Sequence, residues 1–390
     1  MNKILFVFHS ENISSGATRS LMDIVDYLIS TEKYDIEAVF PAQNGTAVDY
    51  LKSKNIKVHH YTYGKLMQDL TQPLIKRIVK LPLLFLRYFK IKKQAKKAAL
   101  DFADSGIDIV YSNTSSIVFG GYLGLKLGCK QIWHIREFRK KDHQIAFFLG
   151  DKSLQKFINR CSDAVLFVSK SVMNEHIKYI DSAKMYVTYN SYPKSFIRPR
   201  EQFNSDKPLQ VMIAGDIKPS KGQFDVIKAV EIARNKQKRC DIVLHLAGRK
   251  SNSQYYDSIV KYIQEHKLDR SVILHGQVTD MISLRDKMDV GVVASTNEAF
   301  GRTTIEGMLS MMAMVGRNSG GTTEQIKHME TGLLYDGTVE DLSEKLLFLY
   351  NNRDYMEKFA KSGFDESVEL HTKGNCAKTA EKAIIKVLSS

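Results

Sequence analysis

The stretch Ser295–Met312, STNEAFGRTTIEGMLSMM, decides how the rest of the chain is read. Before it runs Val290-Gly291-Val292-Val293-Ala294, an apolar segment with the pattern of a strand buried on both faces. After it, Ile305, Met308, Leu309 and Met312 recur at helical spacing. Glu298 and Glu306 flank this junction, with Phe300-Gly301 in the turn. In an open α/β sheet, ligands collect where strands end and helices begin. One carboxylate at a strand end and one a turn into the helix can grip two sets of hydroxyls on one ligand. An ionised carboxylate only accepts hydrogen bonds, which suits ribose and hexose.

Upstream, Leu209 to Gly215 is a further strand, followed by Asp216-Ile217-Lys218-Pro219-Ser220-Lys221-Gly222 and a helix expected over 224–235. Lys221 just before a helix N-terminus adds a full charge to that end's partial one, a sound place for a diphosphate. Asp241 to Ala247 and Val272 to Gly276 are the next strands. Downstream come a short buried strand, Met314-Val315-Gly316, the turn Ser319-Gly320-Gly321, and helices expected over 339–351 and 375–388.

The first half repeats the alternation. Strands are expected at 4–8, 37–40, 57–60, 107–111, 131–135 and 164–169, with helices over 18–29 and 172–180. Such alternation predicts a parallel, doubly wound sheet. Gly16, before the first helix, lets backbone amides approach a ligand, although the loop is not a GxGxxG fingerprint. His134 ends a strand beside Arg136 and Glu137, the setting of a cleft residue. Pro193, Pro199 and Pro208 mark a linker over 191–208, dividing a domain over 1–190 from one over 209–370, with a last helix at 371–390.

With 390 residues the chain can build two domains of ordinary size. Four scattered cysteines form no CxxC or Cys/His cluster, so disulfides and zinc are not expected. The first strand starts almost at once and no apolar run is long enough to span a bilayer, so a cytoplasmic protein is expected. Charge is uneven: residues 1–195 carry 29 Lys+Arg against 17 Asp+Glu, a net +12, whereas residues 196–390 carry +2. Nine basic residues and no acidic one lie between Lys76 and Lys97. The surrounding stretch, 74–99, mixes these with Leu83, Leu84, Leu86, Tyr88 and Phe89, and Pro82 should kink or divide it. Basic, aromatic and aliphatic residues together suit an anionic membrane surface, at the inner face of the cell membrane; the alternative is a domain-core helix with a solvated basic face. No nucleic-acid-binding motif accompanies the charge.

Glu298-x-Phe300-Gly301-x4-Glu306 resembles the E-x7-E signature of the retaining GT-B glycosyltransferases of family 4, the glycosyl transferases group 1 domain. The resemblance is clearest over residues 210–350 and looser over 1–190. It implies two Rossmann-like domains facing across a cleft, the second holding a nucleoside-diphosphate sugar and the first an acceptor. It further implies that Glu298 meets the donor sugar and Glu306 the ribose, and that Lys221 holds the donor phosphates. Gly16 and Gly215 would lie by the diphosphate, Gly276, Phe300 and Gly301 would line the donor site, and His134 would orient the sugar or stabilise charge. Arg136 and Glu137 fall on the acceptor side. The family's loop runs Gly-Arg-x4-Lys-Gly; Lys221-Gly222 match it, but Asp216 stands in the place of the arginine, with Lys218 the nearest cation to supply the missing charge. The expected reaction moves a hexose from a UDP-sugar, in preference to a GDP-sugar, to a saccharide acceptor. A lipid-linked acceptor in capsule or other surface polysaccharide synthesis would suit the basic stretch. No essential metal and no cofactor beyond the donor are expected. The alternatives are a non-catalytic glycosyltransferase-like partner subunit and a nucleotide-sugar epimerase.

Overall fold

The computed structural model describes residues 1–200, 203, 208–238 and 240–390. The chain divides into two compact units, one of residues 1–191 with 374–390, the other of residues 192–373.

The first unit contains β1 (Asn2–Val7), β2 (Tyr34–Phe40), β3 (Lys57–His60), β4 (Met67–Asp69), β5 (Ile109–Asn113), β6 (Lys130–Ile135), β7 (Ile145–Phe147), β8 (Ala164–Phe167) and β9 (Met185–Val187). Seven of them form one sheet in the order β3-β2-β1-β5-β6-β8-β9, parallel throughout. The short β4 and β7 pair antiparallel outside it. Ile4, Phe6 and Phe8 alternate into one core layer with Leu21, Val25 and Leu28 of the Gly16–Ser30 helix. The last helix, Asn375–Leu388, closes the same layer through Ala377, Ala380, Ala383 and Ile384. Its small residues let the helix lie close to the sheet.

The second unit contains β10 (Leu209–Ala214), β11 (Ile242–Ala247), β12 (Val272–Gly276), β13 (Val290–Val293), β14 (Ala313–Arg317) and β15 (Gly332–Tyr335). They form a parallel sheet in the order β12-β11-β10-β13-β14-β15. Each strand is followed by a helix or turn before the next parallel strand. The two-sheet α/β architecture is that of the GT-B fold.

Two elements differ from their expected extent. The helix anticipated over 172–180 spans only Lys170–Asn174, capped by the Ser169 hydroxyl on the Val172 amide at 3.1 Å, and turns follow it. The basic stretch is two helices, Leu74–Val79 and Leu81–Asp101. The break falls at Lys80, because Pro82 fits the first turn of a helix but cannot sit inside one. Of the expected linker, residues 201, 202 and 204–207 lie outside the described residues. Its first part packs on the second unit: the Arg198 amide donates to the Leu309 carbonyl at 2.8 Å, and Arg200 meets Asp289 at 3.0 Å.

Candidate functional site

In both sheets the strand order reverses once, between β1 and β5 and between β10 and β13. Beyond the carboxyl ends of such a strand pair, the loops diverge and leave room for a ligand. Most of the chemically equipped residues of each unit gather there.

In the second unit, β10 leads through Gly215 and Asp216 into the turn Pro219–Lys221 and then the Gln223–Lys236 helix. Gly222 caps that helix with φ of 72°, and a Cβ there would stand 2.6 Å from the Ala294 carbonyl oxygen. Glycine is thus what allows the Lys221 turn to press against the end of β13. Across this contact Lys221 Nζ forms an ion pair with the Glu298 carboxylate, both side chains still partly open to solvent. The loop carrying Glu298 is held by the paired glycines: the Gly321 amide donates to the Glu298 carbonyl at 2.7 Å, and a Cβ on Gly320 would lie 2.5 Å from that same oxygen. Gln325 adds a hydrogen bond from its side-chain amide to the Phe300 carbonyl. Phe300 itself is buried against the His371 ring, edge to face at 5.7 Å.

Gly301 caps the Arg302–Leu309 helix, whose second turn carries Glu306. Glu306 is buried and engaged by two arginines, ion-paired with Arg285 and 3.5 Å from Arg302 Nε. Arg302 is visible in the sequence as an i,i+4 partner of Glu306. Arg285, 21 positions upstream, gives no sequence signal.

Asp216 stands where a cation was wanted, and a carboxylate beside a diphosphate would repel it. The structure places Arg249 against it, Nη2 to Oδ2 at 3.0 Å. The pairing follows from the backbone, since the Ile217 amide donates to the Arg249 carbonyl at 2.8 Å and Ile217 bridges to Lys250 in parallel fashion. Half-buried Lys218 lies next in the chain. Gly276 ends β12, at the sheet edge, where its carbonyl accepts from the Gly248 amide at 2.8 Å. Next to it a polar chain crosses three strands: His275 Nε2 to His245 Nδ1 at 2.8 Å, and His245 Nε2 to Gln210 Oε1 at 2.8 Å.

In the first unit, His9 follows β1 and its ring meets the Ser15 hydroxyl at 3.0 Å. Gly16, exposed, opens the following helix. Asn113, at the end of β5, donates to the Ala17 carbonyl at 3.0 Å and accepts from Arg136 Nε at 2.7 Å. Arg136 also reaches Asn190 at 2.9 Å and His134 Nδ1 at 3.1 Å. The Tyr111 hydroxyl meets the same His134 nitrogen at 2.8 Å. A guanidinium can only donate, so Nδ1 is the acceptor and Nε2 carries the proton. Full burial, then the Arg136 charge, hold His134 well below the usual histidine range, so it is neutral. His9 is pulled down to about 3 by burial, with Lys65 and Arg136 adding to it.

These contacts give His134 and Glu137 a different position from the one expected of sugar- and acceptor-facing groups. His134 is fully buried in the sheet face and positions Arg136. Glu137 is buried, with one oxygen accepting from the Ser115 amide and hydroxyl, both at 2.7 Å, and the other from the Arg136 amide at 3.2 Å. Arg136, His9 and Asn113 are the groups that the fold brings to the end of β1 and β5. His9 and Asn113 were not singled out in the sequence, although each stands at a strand end next to the switch point. Among the described residues no cluster of three or more His, Cys, Asp or Glu could hold a metal ion. A hollow of about 450 Å³ lined by Met1, Ile29, Tyr34 and Asn55 lies at the opposite end of β2 and contains none of these residues.

Residues 194–366 match the family Glycosyl transferases group 1. A D-inositol 3-phosphate glycosyltransferase of Arthrobacter sp. (strain FB24) is 24% identical over 242 residues, 60% of this chain and 55% of the relative. The chain therefore spans about half the length of that curated relative. Among solved structures, a glycosyltransferase of Rickettsia africae ESF-5 superposes with a TM-score of 0.79 at 18% identity, covering 100% of this chain and 99% of that one. Anabaena Alr3699/HepE in complex with UDP gives a TM-score of 0.78 at 18% identity, over 98% of this chain and 100% of that one. The same Anabaena protein has been solved with UDP-glucose. Residues 194–366 thus match the glycosyl transferases group 1 model, in a chain that has the GT-B fold.

Proposed function

We propose that the chain is a retaining glycosyltransferase that moves a hexose from a nucleoside-diphosphate sugar, UDP in preference to GDP, to a saccharide acceptor. The observation that carries this reading is the Lys221–Glu298 pair at the switch point of the second sheet. Lys221 lies at the N-terminus of the Gln223–Lys236 helix, where a lysine and the amide dipoles together favour a diphosphate. Glu298 is beside it to accept hydrogen bonds from sugar hydroxyls, and Glu306, fixed by Arg285 and Arg302, is offered to the ribose. The UDP and UDP-glucose complexes of the Anabaena neighbour support uridine as the base.

In the reaction the bond from the anomeric carbon to the diphosphate oxygen breaks and a bond to the acceptor oxygen forms on the same face. The acceptor hydroxyl's proton leaves to the departing phosphate. Negative charge grows on the diphosphate, and Lys221 with the helix amides stabilises it there without an essential metal. Glu298 and Glu306 are donor-binding groups in this scheme, not the acid and base pair of a glycoside hydrolase. The acceptor is proposed to be lipid-linked, in bacterial surface polysaccharide synthesis, on the cytoplasmic side of the membrane. The basic, apolar stretch 74–99 supports that part of the reading.

The test is calorimetric titration of UDP and GDP into wild type, Lys221→Ala and Glu306→Gln. Wild type is expected to bind UDP more tightly than GDP, with Lys221→Ala weakening UDP at least about tenfold, the loss of one charge-assisted contact. Turnover of the matching donor should persist in a chelator. If wild type binds neither nucleotide, the reading fails. Asp216 favours a second reading, a non-catalytic partner subunit. Its discriminating experiment is Arg249→Ala: if Arg249 offsets Asp216, this change weakens UDP binding, whereas a partner subunit shows no nucleotide binding to weaken.

A further inference from the structure

The Leu74–Val79 helix buries none of its residues. Its four aliphatic side chains all face solvent, with Ile75 76% and Val79 72% exposed. An apolar surface of this kind, left uncovered in a folded unit, marks an interaction site. The helix is nonetheless held in place by polar contacts. Arg77 Nη2 donates to Gln68 Oε1 at 3.3 Å, Gln68 Nε2 donates to the Arg77 carbonyl at 3.4 Å, and Lys80 Nζ donates to Gln72 Oε1 at 2.7 Å. Gln68 belongs to β4, so the β4–β7 ladder anchors the helix through its polar side.

The Leu81–Asp101 helix continues this surface. Leu84, Ile91, Ala95 and Ala98 form its buried stripe. Tyr88, on the same stripe, contacts the Tyr122 hydroxyl at 2.5 Å. At ~100° per residue, the opposite face carries Leu86 and Phe89 in its first turns and Lys93, Lys96 and Lys97 beyond them. Leu86 is 68% and Phe89 60% exposed. The outward face is therefore apolar at the end next to the Leu74–Val79 helix and cationic further along. Between Asp69 and Asp101 the chain has no acidic residue and nine basic ones.

We infer that the Leu74–Val79 helix and the first turns of Leu81–Asp101 lie in the surface of an anionic lipid bilayer. Ile75, Ile78, Val79, Leu86 and Phe89 enter the headgroup boundary, and Lys90, Lys93 and Lys97 meet lipid phosphates. Among the described residues no helix is long and apolar enough to cross a membrane, so the contact is in-plane. Charge decides the occupant. A second copy would set nine cations against nine with no carboxylate between them, whereas an anionic surface attracts each lysine. The inference deepens the acceptor part of the reading above by giving the membrane contact an address, and it stands without the donor site.

The experiment is sedimentation of the full chain with vesicles of phosphatidylcholine alone or mixed with phosphatidylglycerol, at low and high salt. UDP binding and light scattering are measured on the same samples. Wild type is expected to pellet with the anionic vesicles at low salt and to be released by high salt. Ile75→Ser/Ile78→Ser/Leu86→Ser/Phe89→Ser is expected to remain in the supernatant while unfolding like wild type. Lys90→Gln/Lys93→Gln/Lys97→Gln should bind about a hundredfold more weakly, since each lysine near the surface is worth about fivefold. The inference is overturned if wild type stays in the supernatant with anionic vesicles at low salt, or if the four-serine variant pellets as well as wild type. It is equally overturned if light scattering shows a dimer that the serine substitutions dissociate without any vesicle binding. Vesicle binding without UDP binding would uphold this inference while removing the proposed transferase activity.

Discussion

Lys221, Glu298 and Glu306 each have a cationic or anionic partner before any ligand arrives, and this shapes how substitutions there behave. Lys221 and Glu298 are partly open to solvent, so removing Lys221 leaves a carboxylate that water can solvate. The buried pair behaves otherwise. Arg285→Met strips Glu306 of its ion-pair partner inside the fold, and breaking a buried pair typically costs about 3 kcal/mol or more. Urea unfolding should show a loss of that order, eased to the extent that Arg302 takes over. The same logic recommends Glu306→Gln over alanine for binding studies, because an alanine leaves Arg285 facing a void. The sequence pointed to both glutamates through their spacing around a strand–turn–helix junction. It was silent on Arg285 and Arg249, because a partner brought in from another loop leaves no local pattern.

At the scale of elements, the periodicity of hydrophobic residues located the strands of both main sheets better than the helices: Phe119–Leu127, Asp151–Cys161, Ser253–Glu265 and Arg353–His371 were not anticipated, and the ends of those that were depend on caps and breakers. The helix after β8 stops at Asn174, short of its expected end. The basic stretch splits at Lys80 because Pro82 must sit in a first turn. The Asn375–Leu388 helix illustrates packing that alternation alone does not convey. It buries Ala377, Ala380 and Ala383 in the core layer of the first unit. Enlarging one of them forces helix and sheet apart, so Ala380→Leu should destabilise this unit by about 2 kcal/mol. Trp133, the single tryptophan of the chain, is buried in that unit with its indole N–H on the Thr114 carbonyl at 2.8 Å, so its fluorescence reads the change.

For the whole molecule, the two units should respond differently to acid. In the first, burial lowers three histidines: His134 well below its ordinary value, and His9 and His176 each to about 3. In the unfolded chain each titrates near 6.5. Below that value the unfolded state binds protons that the folded state refuses, so stability is complete above pH 6.5 and falls as pH drops. The limiting slope is about 1.4 kcal/mol per pH unit for each histidine. Glu381 adds to the loss at lower pH. Burial alone would raise it, but hydrogen bonds from Tyr27 and Lys33 outweigh that and keep it below its ordinary 4.5, so its contribution disappears as pH falls past 4.5. In the second unit burial, then His275, lowers His245 to about 4. Denaturation followed by Trp133 fluorescence should therefore move to lower urea between pH 6.5 and 5, and His9→Gln should flatten that dependence. A midpoint that holds steady over this range would show that the histidines ionise in the folded unit.

By itself the sequence determined the alternation of strands and helices, the uneven charge and the identity of the carboxylates and lysine at the second switch point. These follow from short-range regularities: period-2 and period-3.6 burial, glycine in turns, and a lysine before a helix. Only the tertiary structure decided what those groups face. It put Arg249 on Asp216, Arg285 on Glu306 and the His134 ring inside the sheet, and it left the Leu74–Val79 helix without a cover. The physical reason is that an ion pair or a buried face depends on which loops the sheet order brings together, and that order is set by long-range packing.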